Sequence, residues 1–249
     1  MAARGDRRLQ DALRDLASAL TKSGAAWMVI GGIAVIARGV RRFTADIDVA
    51  VRGDAIEVDA LLSILGKKRI HPRIEDAAAF ARENLVLLLR HEPSGVDFDV
   101  SFAWTEFEYE ALEAATVATF GTVKAPMARP EDLVVFKAIA GRGKDMDDVV
   151  ALLALYPKLD LGRVRARVRE LAALADTPEL ARGLDAVIKT AVGARAPSQR
   201  GSKPSLPPPR PGRTGRPRGT ANKAPARKAP ARKAPARKAP ARKAPPKKR

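Results

Sequence analysis

Residues 31–48 read GGIAVIARGVRRFTADID, and the fold turns on this stretch. A short apolar run, Trp27 to Ile30, leads into Gly31-Gly32 and predicts a buried strand. Ile33 to Arg38 predicts a helix that ends near Gly39. Asp46-Ile47-Asp48-Val49 alternates acid and aliphatic, so Asp46 to Val51 is expected as a strand with one wet face. Two residues without Cβ at a strand-to-helix junction let backbone N–H groups approach a ligand closely. The first turn of the helix adds unpaired N–H groups and a partial positive charge, which together suit a phosphate. A Gly pair is also the commonest way to make a plain turn. Asp46 and Asp48, two apart on a strand, project from one face and repel each other unless a cation lies between them. Oxygen ligands without His or Cys favour Mg²⁺ or Mn²⁺. The bland alternative is a solvated edge strand.

Further along, Val96 to Phe102 alternates in the same way. Val96, Phe98 and Val100 are expected on one face, with Asp97, Asp99 and Ser101 on the other. Leu85 to Leu89 and the turn Glu92-Pro-Ser-Gly95 make an antiparallel hairpin with it. If this strand neighbours Asp46–Val51, Asp97 or Asp99 completes a three-carboxylate cluster, the ligand set of two-metal phosphoryl chemistry. Around this centre, Leu9, Leu13, Leu16 and Leu20 mark an amphipathic helix over 9–20 that ends at Ser23-Gly24. A second helix is expected over 55–65. Residues 66–83 carry little pattern beyond a short helix at 75–83. A helix over 106–115 and strands at 117–120 and 123–127 follow. Pro130-Glu131-Asp132 opens a helix to about Ala140, and helices at 145–155, 160–175 and 178–192 complete the pattern. Strands with helices, then helices only, predict an α+β domain followed by a small helical bundle.

The net charge of +18 resides in one segment. Residues 195–249 hold 19 Lys and Arg with no acid, leaving 27 basic and 28 acidic residues in 1–194. The same segment holds 13 of the 19 prolines and repeats Lys-Ala-Pro-Ala-Arg from Lys223 onward. It has few side chains that could form a core, so it is expected as a disordered basic tail. Such a tail binds nucleic acid without sequence preference and with steep salt dependence. It resembles histone H1-like tails; a purely solubilising tail fits the same composition. With no cysteine, disulfides, Cys zinc sites and thiol nucleophiles are excluded. No apolar run reaches the ~20 residues of a membrane span, and the charged N-terminus lacks a signal core. These features lead us to expect a cytoplasmic protein with no membrane partner. His71 and His91, the two histidines, are expected at the surface, and their scarcity argues against Ser-His-Asp hydrolysis.

Taken together, Gly31-Gly32, the Asp46-x-Asp48 pair after thirteen intervening residues and the acid-bearing strand at 96–102 resemble the nucleotidyltransferase superfamily, which shares its fold with DNA polymerase beta. Arg42-x-Thr44-x-Asp46-Ile47-Asp48 is similar to the form in small bacterial nucleotidyltransferases. Pro130-Glu-Asp-Leu133, Lys137 and Arg142-x-Lys144-Asp145-x-x-Asp148 resemble the abortive-infection (AbiEii-type) toxin nucleotidyltransferases. The resemblance covers roughly residues 20–156. It implies a nucleotidyltransferase-type mixed sheet with flanking helices. It also implies transfer of a nucleoside monophosphate from an NTP to an acceptor hydroxyl on RNA, tRNA or protein, with Mg²⁺ or Mn²⁺. Asp46, Asp48 and Asp99 would hold the metals, with Asp97 as the fallback for Asp99. Gly31 and Gly32 would hold the β,γ-phosphates. Arg42, Thr44, Lys137, Arg142 and Lys144 would complete the nucleotide site. Asp145 and Asp148 fit equally as site residues or as a charge pair at a helix start. The implied organisation is a nucleotidyltransferase domain at 1–128, a helical domain at 129–194 and the tail at 195–249. A toxin role with an antitoxin partner is one implication. The rivals are a non-catalytic nucleic-acid-binding protein on the same scaffold and an antibiotic-modifying transferase.

Overall fold

The computed structural model describes residues 2–193; the tail expected at 195–249 lies outside the described residues. The elements in order are α1 (Ala2–Ser23), β1 (Trp27–Ile30), α2 (Gly31–Ala37), β2 (Asp46–Arg52), α3 (Val58–Gly66), β3 (Ile70–Pro72), α4 (Ala77–Asn84), β4 (Val86–His91) and β5 (Val96–Ala103). There follow α5 (Glu106–Glu113), β6 (Thr116–Phe120), β7 (Val123–Met127), α6 (Pro130–Ala140), α7 (Gly143–Leu155), α8 (Leu161–Leu174) and α9 (Pro178–Gly193). Among the described residues the strands form one seven-stranded sheet in the order β3-β4-β5-β2-β1-β7-β6. β2 pairs with β5 in parallel, as β1 does with β7, and the other pairs are antiparallel. The fold is therefore α+β with a mixed sheet and flanking helices.

The alternation read from the sequence sorts the sheet into two faces. Ile47, Val49, Val51, Phe98 and Val100 are almost fully buried. Leu13, Leu16 and Leu20 of α1 are buried with them in one core. Each such side chain is worth ~1.5–3 kcal/mol relative to exposure. Sending the aliphatics inward leaves Asp46, Asp48, Asp97 and Asp99 together on the other face, since a period of two cannot bury both sets. α6 begins with Pro130 and two acids and ends at Gly141 in the left-handed region, the start and stop chemistry of a helix. Thr105 and Glu108 form a reciprocal cap at the start of α5.

The structure departs from expectation at several points; α1, expected from residue 9, begins at Ala2. α3 begins at Val58, not at residue 55, because Gly53–Ala55 closes a 3₁₀ turn and Ile56 is extended. β3, three residues long, was not anticipated; it extends the sheet by pairing with β4. α2 includes the Gly pair itself and starts directly at the end of β1. His91 is a correction to the surface assignment: it is buried, with Nδ1 2.8 Å from Ser94 Oγ and Nε2 3.3 Å from Asp15 Oδ2. Burial pushes its pKa down, against the opposing pull of Asp15. His71 is exposed. No helix among the described residues is long and apolar enough to cross a membrane.

Candidate active site

The parallel pairing of β2 with β5 sets Asp46 beside Asp97 and Asp48 beside Asp99, each pair in register. Neighbouring strands lie ~4.8 Å apart, so the four carboxylates form a two-by-two array on one sheet face. The array is not uniform. Asp97 accepts two bonds from Arg90, at 2.7 and 3.1 Å, and one from Arg73 at 3.4 Å. The hydrogen bonds from Arg90 lower its pKa. The other three acids crowd one another. Burial, then the charges of Asp46 and Asp99, push Asp48 up to about 6, partly opposed by Lys137 and a hydrogen bond from the Gly32 backbone. Asp99 is also raised, first by burial and then by Asp46 and Asp97, with Arg73 opposing. Like-charged carboxylates held together in a partly desolvated place are the electrostatic mark of a cation site.

The two glycines are required by their surroundings. β1 ends at Ile30, opposite Asp48, and the chain turns at once into α2. Gly31 has φ +61°, and a Cβ there would lie 1.8 Å from Asp48 Oδ2. A Cβ on Gly32 would lie 2.4 Å from Thr44 Oγ1. Both positions are thus closed to any side chain by the acid and its support. The Gly32 N–H is directed to the Asp48 carboxylate.

Thr44 is buried, and its hydroxyl donates to Asp46 Oδ1 at 2.8 Å. The preceding loop is anchored through Arg38, which bonds Met127 O and Ala128 O at 2.9 Å and Thr116 Oγ1 at 2.8 Å. Tyr156 Oη donates to Arg38 O. Arg42 forms a short ion pair with Asp148 of α7. Between these fixed neighbours, Phe43 is 83% exposed.

The basic residues expected around the nucleotide fall into two groups. Lys137 is buried on α6 and bonded to Asp145 at 3.0 Å and Asp148 at 3.1 Å. Arg142 bonds Asp145 at 2.5 Å, yet its side chain is 61% exposed and it also senses the charges of Asp48 and Asp46. Lys144 is exposed and has no ion pair among the described residues. Asp145 is fully buried; burial raises its pKa, but the hydrogen bonds from Arg142 and Lys137 outweigh this and leave it lowered. Asp145 and Asp148 therefore organise cations, which goes beyond a charge pair at a helix start. On α8, Arg163 and Arg167 turn to Glu110 while Arg165 and Arg169 turn to Asp185, two directions and no single basic stripe. The residue that sequence reasoning missed is Arg73. It follows Pro72 in a segment without periodicity, and only the position of β3 beside β4 reveals where it reaches.

A family model described as "Nucleotidyltransferase of unknown function (DUF6036)" matches residues 7–189. A search of curated proteins finds no match. Among solved structures, the chain is similar to ANT(2")-Ia in complex with adenylyl-2"-tobramycin, at 16% identity and TM-score 0.46, covering 66% of this chain and 98% of that one. It is also similar to an antigenic nucleotidyltransferase-like protein from Paracoccidioides brasiliensis, at 18% identity and TM-score 0.44, covering 71% of this chain and 92% of that one.

Proposed function

The chain belongs to this nucleotidyltransferase family, and from that premise we propose that it transfers a nucleoside monophosphate from an NTP to an acceptor hydroxyl at the β2–β5 carboxylates. The observation that carries the reading is the parallel register of β2 and β5, which sets Asp46, Asp48 and Asp99 on one face of the sheet, where burial and the neighbouring acids push Asp48 up to about 6. A cation relieves that repulsion, and an all-oxygen donor set suits Mg²⁺ or Mn²⁺. Asp46, Asp48 and Asp99 would hold the metal, which stabilises the charge on the transferring phosphoryl group and on the departing pyrophosphate. We assign the third place to Asp99 over Asp97. Two hydrogen bonds from Arg90 hold Asp97 and lower its pKa, whereas burial with the charges of Asp46 and Asp97 raises Asp99 even though Arg73 bonds one of its oxygens.

The protein's own groups then divide the work. We assign Asp99 to accept the proton of the acceptor hydroxyl. Gly31 and Gly32 are our assignment for the β,γ-phosphates through their backbone, while their missing Cβ atoms make room for Asp48 and Thr44. Arg142 and Lys144, exposed at the start of α7, are the cations we assign to the triphosphate. Lys137 and Arg42, tied to Asp145 and Asp148, instead hold α6, α7 and the loop before β2 in place. The flat, exposed ring of Phe43 is available to a nucleobase. For the acceptor, RNA or protein remain our assignments, with the 195–249 tail raising the local concentration of RNA. The toxin role and an antitoxin partner belong to the same proposal, as do the division at 128/129 and a cytoplasmic location.

The test is label transfer from each α-³²P-labelled NTP, with Mg²⁺, to total RNA or cell lysate. Asp46→Ala/Asp48→Ala is expected to lose at least ~10²–10³-fold of the transfer, the scale on which one charge-stabilising group acts. A double variant that transfers label like the native chain would sink the reading. Nucleic-acid binding without NTP binding in the native protein would favour the non-catalytic rival. Deleting 195–249 is expected to raise KM for RNA at low salt and leave kcat nearly unchanged.

A further inference from the structure

Among the described residues, no three acidic or His side chains are arranged as a ready metal-ligand group, although Asp46, Asp48 and Asp99 share one face. Asp99 is instead bonded by Arg73. Its guanidinium donates to Asp99 Oδ1 at 2.5 Å, to Phe98 O at 3.4 Å and to Asp97 Oδ2 at 3.4 Å. We propose that Arg73 is a displaceable counter-cation of Asp99, which holds the third carboxylate when no metal is bound and gives it up when one is. The inference rests on the nucleotidyltransferase reading above.

Three observations distinguish Arg73 from an ordinary surface ion pair. First, the pairing is divided unequally. Asp97 keeps a bidentate partner in Arg90 whatever Arg73 does, whereas Arg73 is the one cation bonded to Asp99 among the described residues. Loss of Arg73 therefore changes Asp99 and leaves Asp97 satisfied. Second, Arg73 belongs to the segment after β3 and not to the acid-bearing strands. Its backbone N–H is fixed to Leu88 O at 2.9 Å, so the side chain alone can move. Third, it has somewhere to go. A depression of about 390 Å³ lies against it, lined by Pro72, Ile74, Leu88 and Arg90. A guanidinium and a divalent cation drawn to one carboxylate repel each other, so the Arg73 pair on Asp99 Oδ1 and a bound metal oppose each other.

The consequence is that the metal must displace a built-in competitor, and removing the competitor should tighten metal binding. The experiment is Mn²⁺ binding to the full chain without NTP, followed by the electron paramagnetic resonance of free Mn²⁺. Arg73→Ala is expected to bind Mn²⁺ roughly tenfold more tightly, in the range of coupling energies typical of linked equilibria. Arg73→Lys should fall between it and the native chain, and Arg90→Ala should match the native chain. Unchanged or weaker binding in Arg73→Ala, with measurable binding in the native chain, overturns the proposal and leaves the nucleotidyltransferase reading standing. No Mn²⁺ binding in any variant, with or without ATP, overturns both. A second measurement needs no substitution at all. In ¹⁵N spectra of the native protein, the Arg73 guanidinium should gain mobility on Mg²⁺ addition while that of Arg90 does not; an Arg73 signal unaffected by saturating Mg²⁺ overturns the proposal.

Discussion

Two groups of carboxylates, on β2 and β5 and on α7, have similar chemistry and opposite surroundings. Asp145 and Asp148 are buried, yet each is met by cations: Lys137 touches both, Arg142 closes on Asp145 and Arg42 on Asp148. Asp48 faces Asp46 and Asp99, and its burial, with their charges added, raises its pKa to about 6, while the pKa of Asp145 falls in spite of burial because Arg142 and Lys137 bond it. Burial alone therefore does not mark a working acid. What separates the two groups is how fully the protein supplies the opposite charge: Asp145 and Asp148 each have their cations, whereas on the strands Arg90 and Arg73 reach Asp97 and Asp99 and no cation bonds Asp46 or Asp48 among the described residues.

Breaking the satisfied group should have the larger effect on stability. Asp145→Ala leaves the buried Lys137 with Asp148 alone and removes the partner of Arg142. It is expected to destabilise the fold by about 3–5 kcal/mol, read from urea denaturation; a loss below 1 kcal/mol would mean that the pair is dispensable.

The unsatisfied group should respond in the opposite sense. Asp48 has a folded pKa above its unfolded value, so its ionisation disfavours the fold as pH rises from about 4 to about 6. Asp48→Asn in metal-free protein should therefore stabilise by about 2–3 kcal/mol above pH 6, from a shift near two units at 1.36 kcal/mol each. The gain should vanish below pH 4, where both forms are neutral. Equal effects at pH 5 and pH 8 would contradict this. For Asp145 the sign reverses: its folded pKa is lowered, so its contribution is present above the ordinary carboxylate range and fades as pH falls through the lowered value. Metal affinity should fall with pH around 6, because a proton on Asp48 relieves the repulsion that a metal would otherwise relieve; Mn²⁺ titration at pH 5 and 7.5 measures this.

The smallest expected change sharpens the comparison within the strand group. Thr44→Val keeps shape and removes the hydroxyl that steadies Asp46. Metal binding is expected to weaken by about 1–2 kcal/mol, as for one hydrogen bond to a charged group, with thermal stability nearly unchanged.

Much of the strand group was legible beforehand because period-two alternation fixes which side chains share a face. Asp46, Asp48, Asp97 and Asp99 followed from that rule once β2 and β5 were neighbours. The choice between Asp97 and Asp99 was not legible, since both point the same way and only the partners differ. Those partners, Arg73 and Arg90, reach the acids through β3 and β4, and a three-residue strand leaves too little pattern to read. Lys137, Arg142 and Asp145 were visible as residues but not as a network, because helical spacing says which groups are close along one helix and not what faces them from the next. His91 was misjudged because its place at a turn said nothing of α1 closing over it through Asp15.

The ion pair between Arg42 and Asp148 joins residues 106 positions apart. On a ribosome adding ~5–20 residues per second, Arg42 precedes its partner by about 5–20 s. For that interval Asp46 and Asp48 exist without the helices that brace the loop beside them. The newborn chain thus carries a built-in delay: its acids are made early, and the clasp that fixes their surroundings arrives only when α7 has emerged.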